Sequence, residues 1–337
     1  MKHLLIFVLL INGTLCGYSQ SIRNIDPKVK ILLDDLNAYD GPPLEKLPLE
    51  VARQSYVDMQ YGYDYEFTST LNTQFIEQNG IEVKISIVKP KRSSEPLPTF
   101  LYFHGGGWVL GGLETHERLV RNISENANVA VVFVHYSLAP ESKYPVAIDE
   151  GYAVLKWIRE NGAKEGLDIT KLAIGGDSAG GNLAIAISFM LDNKTHKELY
   201  CQLLFCPITD TTTSSQSYQM FADKHYLTRS SMEWFFDSYL STSTLSKKYI
   251  VAPLRIKKSK LRKMPPTLVI TVELDVLRDE GEAFAEKLKD AGVETISKRF
   301  NGTVHDFMVL NWLADTPASI EAVDLACRTL QDAFYKN

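Results

Sequence analysis

Short apolar runs alternate with helix-length periodic segments through most of this chain, and that alternation limits the fold more than any other feature. Strand-like runs fall at 99–103, 129–134, 172–175, 200–205, 267–272 and 294–300. Helical patterns occupy 114–126, 146–160, 179–191, 281–291 and 318–335. Strands separated by helices need crossover connections, which are right-handed and give a mostly parallel sheet covered on both faces. Ahead of them, a run at 73–78, the pair Asn79-Gly80 and the alternating Val83, Ile85 and Ile87 spell a hairpin with a type I′ turn. The expectation is therefore an α/β protein built on eight strands with an antiparallel start. Two stretches do not follow the rhythm: residues 20–71, helical and rich in tyrosine, and an aromatic, Ser/Thr-rich insertion at about 209–254. An insertion of that length inside a compact domain is usually a functional lid.

With 337 residues, 45% hydrophobic and 23% charged, the chain can bury a large core, which excludes disorder and a disulfide-stapled miniprotein. A formal net charge of −5 and no long Lys/Arg stripe argue against a nucleic-acid partner. At the start, Lys2 precedes an apolar run from Leu4 to Ile11 and a small-residue exit at Gly17-Tyr18-Ser19. That run is too short to span a bilayer and has the form of a secretory signal peptide cleaved after Ser19, so the chain is expected to be secreted or periplasmic. Leu15 ahead of Cys16 disfavours lipid attachment, and no stable membrane anchor is expected. Cys201 and Cys206 lie on one strand about 16 Å apart and cannot bridge. With Cys327 they read as buried thiols, and no CxxC or Cys/His metal spacing occurs.

Two motifs carry chemistry. Gly176-Asp177-Ser178-Ala179-Gly180 lies where an apolar strand turns into a helix. A serine on so tight a turn needs neighbours without bulky Cβ substituents, and the two glycines supply them. His104-Gly105-Gly106-Gly107-Trp108 ends the strand at 99–103. Acyl transfer places negative charge on a carbonyl oxygen, and unshielded glycine N–H groups can converge on it. Gly105, Gly106 and the N–H of Ala179 are the expected oxyanion donors, with His104 orienting the loop. A His followed by three Gly would arise by chance only about 0.0015 times in such a chain. Its arrival ahead of the serine motif, in the order expected for a serine on a strand-to-helix turn, makes the pair specific.

A serine hydroxyl needs a base, and the base needs a carboxylate to fix its tautomer. Three histidines follow Ser178. His196 sits among solvated residues and His225 in the insertion, which leaves His305 as the base. Asp275, at the tip of the strand at 267–272 and 30 positions before His305, is the expected acid, with Glu273 as the alternative. Asp279 suits a first-turn helix position better.

Taken together, His104 to Trp108, Tyr136 to Glu141 with Tyr144-Pro145, Gly176 to Asn182, Asp275 to Glu280 and His305-Asp306-Phe307 make the chain resemble the hormone-sensitive-lipase-like branch of the α/β-hydrolase esterases. The resemblance spans about 72–335. It implies the α/β-hydrolase fold, an eight-stranded mostly parallel sheet with helices on both faces and a helical cap made of 20–71 and 209–254. The hydrolase domain proper would run 72–337. It also implies a Ser178–His305–Asp275 triad and no cofactor or metal. Where relatives often carry Gly after the histidine, this chain has Asp306, a second carboxylate beside the base. Glu141 and Asp149 read as structural. The expected activity is hydrolysis of a small-molecule ester with a short acyl group, acetyl to about hexanoyl, by a serine carboxylesterase. The alternatives are a catalytically silent receptor on the same fold and an amide or peptide hydrolase; a homodimer is an allowed assembly. Of the insertion's aromatics, Tyr218, Phe221, Tyr226, Trp234, Phe235, Phe236 and Tyr239, most should form lid core and some should face the acyl pocket.

Overall fold

The computed structural model describes residues 24–61, 65–91, 93–94, 96–191 and 199–336, so the expected leader at 1–19 lies outside the described residues. Eight strands form one sheet: β1 (Ser69–Gln78), β2 (Ile81–Pro90), β3 (Leu97–Phe103), β4 (Ala130–His135), β5 (Leu167–Asp177), β6 (Leu199–Phe205), β7 (Thr267–Leu274) and β8 (Thr295–Val304). Their order is β1-β2-β4-β3-β5-β6-β7-β8. β2 pairs antiparallel with β1 and with β4, and every other neighbour pair is parallel. The Asn79-Gly80 turn has φ of 54° and 79°, the two positive values that a type I′ hairpin requires.

Helices α1 (Pro27–Ala38) and α2 (Leu49–Asp58) precede the sheet, and α3 (Leu113–Ala127), α4 (Val146–Asn161) and α5 (Ser178–Met190) alternate with its strands. Beyond β6 come the short α6 (Gln216–Met220), α7 (Arg229–Tyr239) and α8 (Lys258–Leu261), then α9 (Arg278–Asp290) and α10 (Pro317–Tyr335). Every residue of β3 and of β7 is buried, as strands covered on both faces must be. α5 is apolar on all sides and buried from Ser178 to Phe189, which makes it the central core helix.

Several element edges differ from the pattern read in the sequence. β8 continues to Val304 rather than ending at Phe300, because Asn301-Gly302, which reads as a strand breaker, is absorbed in an irregularity. Val272 pairs with Phe300 and Leu274 with Val304 across it. The added length delivers residue 305 to the carboxyl edge of the sheet. β5 likewise runs to Asp177 and α5 starts at Ser178, so no loop residue separates strand from helix.

The two segments outside the alternating pattern are fastened to that same edge. Asp26 caps α1, and its N–H donates to the Gly302 carbonyl at 3.0 Å. The Gln60 side-chain oxygen accepts from the Asn311 N–H at 3.0 Å. Arg53 of α2 forms a bidentate pair with Glu141, both contacts 2.8 Å, and donates to the Val109 and Ala139 carbonyls. The later insertion is held where it begins: Glu280 Oε1 accepts from the N–H groups of Thr209 (2.7 Å) and Asp210 (3.0 Å), and Asp279 Oδ2 accepts from Ser217 N–H (2.7 Å).

Candidate active site

Ser178 has φ of +51°, a conformation L residues adopt rarely, and is only 4% exposed. Strand β5 and helix α5 meet without an intervening loop, so the serine backbone takes up the reversal. A side chain at Gly176 or Gly180 would run into the Phe103 carbonyl of β3, so both positions demand glycine by close approach. Ala179 follows in the first turn of α5, where N–H groups lack intrahelical acceptors and the dipole favours negative charge.

His305 directly follows β8 and Asp275 directly follows β7, so the parallel β7–β8 pair places them side by side. His305 Nδ1 and Asp275 Oδ2 are 2.8 Å apart, both residues are buried, and Asp275 Oδ1 accepts from Leu277 N–H at 2.9 Å. Ser178, His305 and Gly106 open onto one cavity of about 630 Å³, with Gly107 beside them. Gly105 packs behind them against the Asp177 carboxylate. Glu273 is placed elsewhere: its Oε2 accepts from Gly302 N–H at 2.8 Å. Asp279 binds Arg278 and the insertion. His225 lines the cavity from the insertion with Nδ1 against the Asp223 carbonyl at 2.7 Å. His196 lies outside the described residues.

Burial alone would lower the proton affinity of His305, but the carboxylates of Asp275 and Asp306 more than offset it, and its pKa stands well above the ordinary 6.5. Asp306 has φ of +59°; its Oδ1 is 3.4 Å from His305 Nε2, and its Oδ2 accepts from Tyr56 OH (2.9 Å) and Tyr226 OH (3.2 Å). His104 is buried against Tyr136, ring centroids 4.2 Å apart, with Nδ1 2.8 Å from the Gly105 carbonyl oxygen. Burial pushes it down to about 3, so it is a neutral brace for the glycine loop.

Three residues of this site have no role in the sequence reading. Asp177, inside the serine motif, accepts from Tyr102 OH (2.5 Å) and lies 3.1 Å from His116 Nε2. Burial opposes the charge on each, yet their mutual attraction wins: Asp177 falls below its ordinary pKa and His116 rises above its own. The one sequence signal for Asp177 is its place beside Ser178, and nothing in the sequence sets His116 apart from the rest of α3. The third is Cys206, at φ +44°, whose thiol interacts with His305.

Cys206, Asp275 and His305 offer donor atoms within 4.8 Å of one another. The donor set suits a metal poorly: burial pushes the thiol up to about 12, which keeps it protonated, and Nδ1 of His305 is committed to Asp275. All three described cysteines are buried and free. Of the insertion's aromatics, Tyr226 and Phe235 line the cavity. Tyr239 instead stacks on Trp108 at 4.3 Å, with Phe236 beside them, and all three rings are buried in the core.

A buried serine on a left-handed turn, a carboxylate-paired imidazole and two residues of the glycine loop thus share one partly open cavity. A family model described as alpha/beta hydrolase fold matches residues 100–309. The chain belongs to this α/β-hydrolase family, which contains the hormone-sensitive-lipase-like esterases. It is similar to the carboxylesterase NlhH of Mycobacterium tuberculosis, at 32% identity over 93% of this chain and 97% of that protein. The solved structure of a thermostable esterase from Pseudomonas putida superposes with a TM-score of 0.89 at 37% identity, covering 94% of this chain and 99% of the other. A fungal esterase structure from Rhizomucor miehei gives a TM-score of 0.84 at 33% identity, covering 92% and 96%.

Proposed function

We propose that this carboxylic ester hydrolase is an exported serine carboxylesterase that cleaves short-acyl esters, acetyl to about hexanoyl, through an acyl-enzyme. The observation that carries the reading is the His305–Asp275 pair opening onto the same cavity as Ser178. Ser178 Oγ attacks the ester carbonyl while His305 Nε2 accepts its proton, and N–H groups of the glycine loop, whose Gly106 and Gly107 face the cavity, stabilise the oxyanion together with that of Ala179. His305 then returns the proton to the leaving alkoxide. Water, deprotonated in turn by His305, breaks the acyl–Ser178 bond and releases the acid. Asp275 holds the imidazole tautomer throughout and steadies the imidazolium.

A cavity of about 630 Å³, walled by Tyr226 and Phe235 of the insertion, favours a finite acyl chain. Each methylene that fits contributes about 0.8 kcal/mol, about fourfold in kcat/KM, until the space is full. Export rests on Lys2, the apolar run to Ile11 and the small-residue exit at Ser19.

The test is kcat/KM on p-nitrophenyl acetate, butyrate, octanoate and palmitate, using protein recovered from outside the cytoplasm and sequenced at its N-terminus. A maximum at short acyl length, loss of about a millionfold in kcat on Ser178→Ala and a first residue at or near Gln20 are expected. A maximum at palmitate would overturn the short-acyl reading. Ser178→Ala activity within tenfold of wild type would overturn the nucleophile, and Met1 on exported protein the cleavage.

A further inference from the structure

We propose that Asp306 is a positioning residue: a second carboxylate partner of the base, and the point at which both lid segments are fastened to the catalytic loop. The inference deepens the esterase reading and rests on it for the role of His305. Asp306 faces two ways at once. Oδ1 stands 3.4 Å from His305 Nε2, the nitrogen opposite the one held by Asp275, so the imidazole lies between two carboxylates. Oδ2 accepts from Tyr56 OH at 2.9 Å and from Tyr226 OH at 3.2 Å. Tyr56 belongs to α2, 250 positions away, and Tyr226 to the insertion, 80 positions away, so one oxygen collects the two separate pieces of the lid. Asp306 is 8% exposed, and its left-handed backbone is one that Asp tolerates better than most residues.

The surroundings fix the sign of its effect on the base. The thiol of Cys206, against His305, is protonated, and the hydroxyls of Tyr56 and Tyr226 hold their protons because burial raises them. Asp177 and His116, which Asp306 also senses, form an oppositely charged pair with Tyr102 hydrogen-bonded to Asp177. Among the described cavity residues the remaining charged or titratable groups, Glu45, Asp223, Lys224 and His225, are more exposed and better screened. Asp306 and Asp275 are therefore the groups that favour the imidazolium. In the transition state that stabilises the proton taken from Ser178; in the free enzyme it delays loss of the same proton to higher pH, because the base works only when neutral. An opposite charge at this distance moves a buried group by about one to three pH units.

The experiment pairs two replacements. Asp306→Asn keeps an oxygen for the two tyrosines and tolerates the left-handed backbone, but removes the charge. Asp306→Gly, the residue relatives often carry here, removes the charge and the acceptor. The titration midpoint of His305 is read by ¹⁵N NMR of the imidazole, which needs no turnover, and the acidic limb of kcat/KM by hydrolysis of p-nitrophenyl acetate. In both variants the midpoint and the limb fall by at least one pH unit. The Gly variant additionally has a KM at least threefold above that of the Asn variant, because the lid segments lose their common anchor. Midpoints within 0.3 pH unit of wild type in both variants overturn the carboxylate role, and equal KM values overturn the fastening. A wild type that shows the raised NMR midpoint but hydrolyses no ester would sink the esterase reading while leaving the Asp306–His305 pairing established.

Discussion

Replacing His116 by alanine tests whether the glycine loop rests on a buried ion pair. His116 is fully buried, Asp177 is 3% exposed, and His116 Nε2 lies 3.1 Å from Asp177 Oδ2. Removing one member of such a pair leaves an uncompensated charge and costs about 3–5 kcal/mol, a large share of the roughly 5–15 kcal/mol by which a domain is stable. His116→Gln keeps a hydrogen-bond donor and should cost less. The pH dependence follows from the directions of the two shifts. His116 has a raised folded-state pKa, so its contribution is complete below the ordinary 6.5 and is lost as pH rises through the raised value. Asp177 has a depressed one, so its contribution is present above the ordinary 3.8 and is lost as pH falls. The deficit of His116→Ala, read from urea midpoints, should be greatest between these limits and shrink toward pH 10. Gly105 rides on Asp177, so kcat should fall at least tenfold, part of the roughly 10²–10³ that one oxyanion donor is worth. A cost below about 1 kcal/mol at pH 6, or a deficit that widens toward pH 10, would refute the pair.

Two further outcomes follow from neighbouring carboxyls. Asp275→Asn should reduce kcat by roughly ten-thousandfold through the wrong imidazole tautomer, whereas Glu273→Gln, whose oxygen can still receive Gly302 N–H, should keep most activity; steady-state kinetics showing the reverse would exchange their roles. Glu280 is buried and its pKa is raised well above 4.5, burial being the main cause, so its stabilising contribution fades as pH climbs above 4.5. Glu280→Gln should thus be at least as stable as wild type at pH 8 by urea unfolding, whereas Glu280→Ala, which orphans the Thr209 and Asp210 N–H groups, should lose about 2–4 kcal/mol. A less stable Gln variant would mean that the Thr209 and Asp210 N–H groups outweigh burial and that the carboxyl pKa is not raised.

What could be read from the sequence was what local chain chemistry encodes. Ser178 and the glycine loop were legible because a strand, a tight turn and a helix start are contiguous, and the alternation of periods foretold the parallel sheet with its hairpin start. His305 followed from elimination and topology. Contacts between distant segments left no local trace. Tyr56 and Tyr226 meet one oxygen of Asp306 from separate parts of the chain, and nothing around either tyrosine distinguishes it from those that only fill the lid. His116 occupies the buried face of α3, where its partner is set by the sheet order and not by its neighbours. β8 looked too short because a glycine that breaks a regular strand can sit in an irregular one.

The staples between the early segment and the late loop impose an order on biosynthesis. Lys28 and Trp312 are 284 positions apart, and Gln60 and Asn311 are 251 apart. At about 5–20 residues per second, a ribosome needs roughly 15–60 s to make the second partner after the first. Through that interval Val29, Leu32, Leu33, Ala52 and Tyr56, all buried in the finished protein, lack part of the surface they will cover. The nascent early segment therefore shows apolar surface to solvent until the late loop is made. A ribosome stalled before residue 311 carries a chain with all eight strands made but without the Asn311 and Trp312 contacts that tie the early segment down.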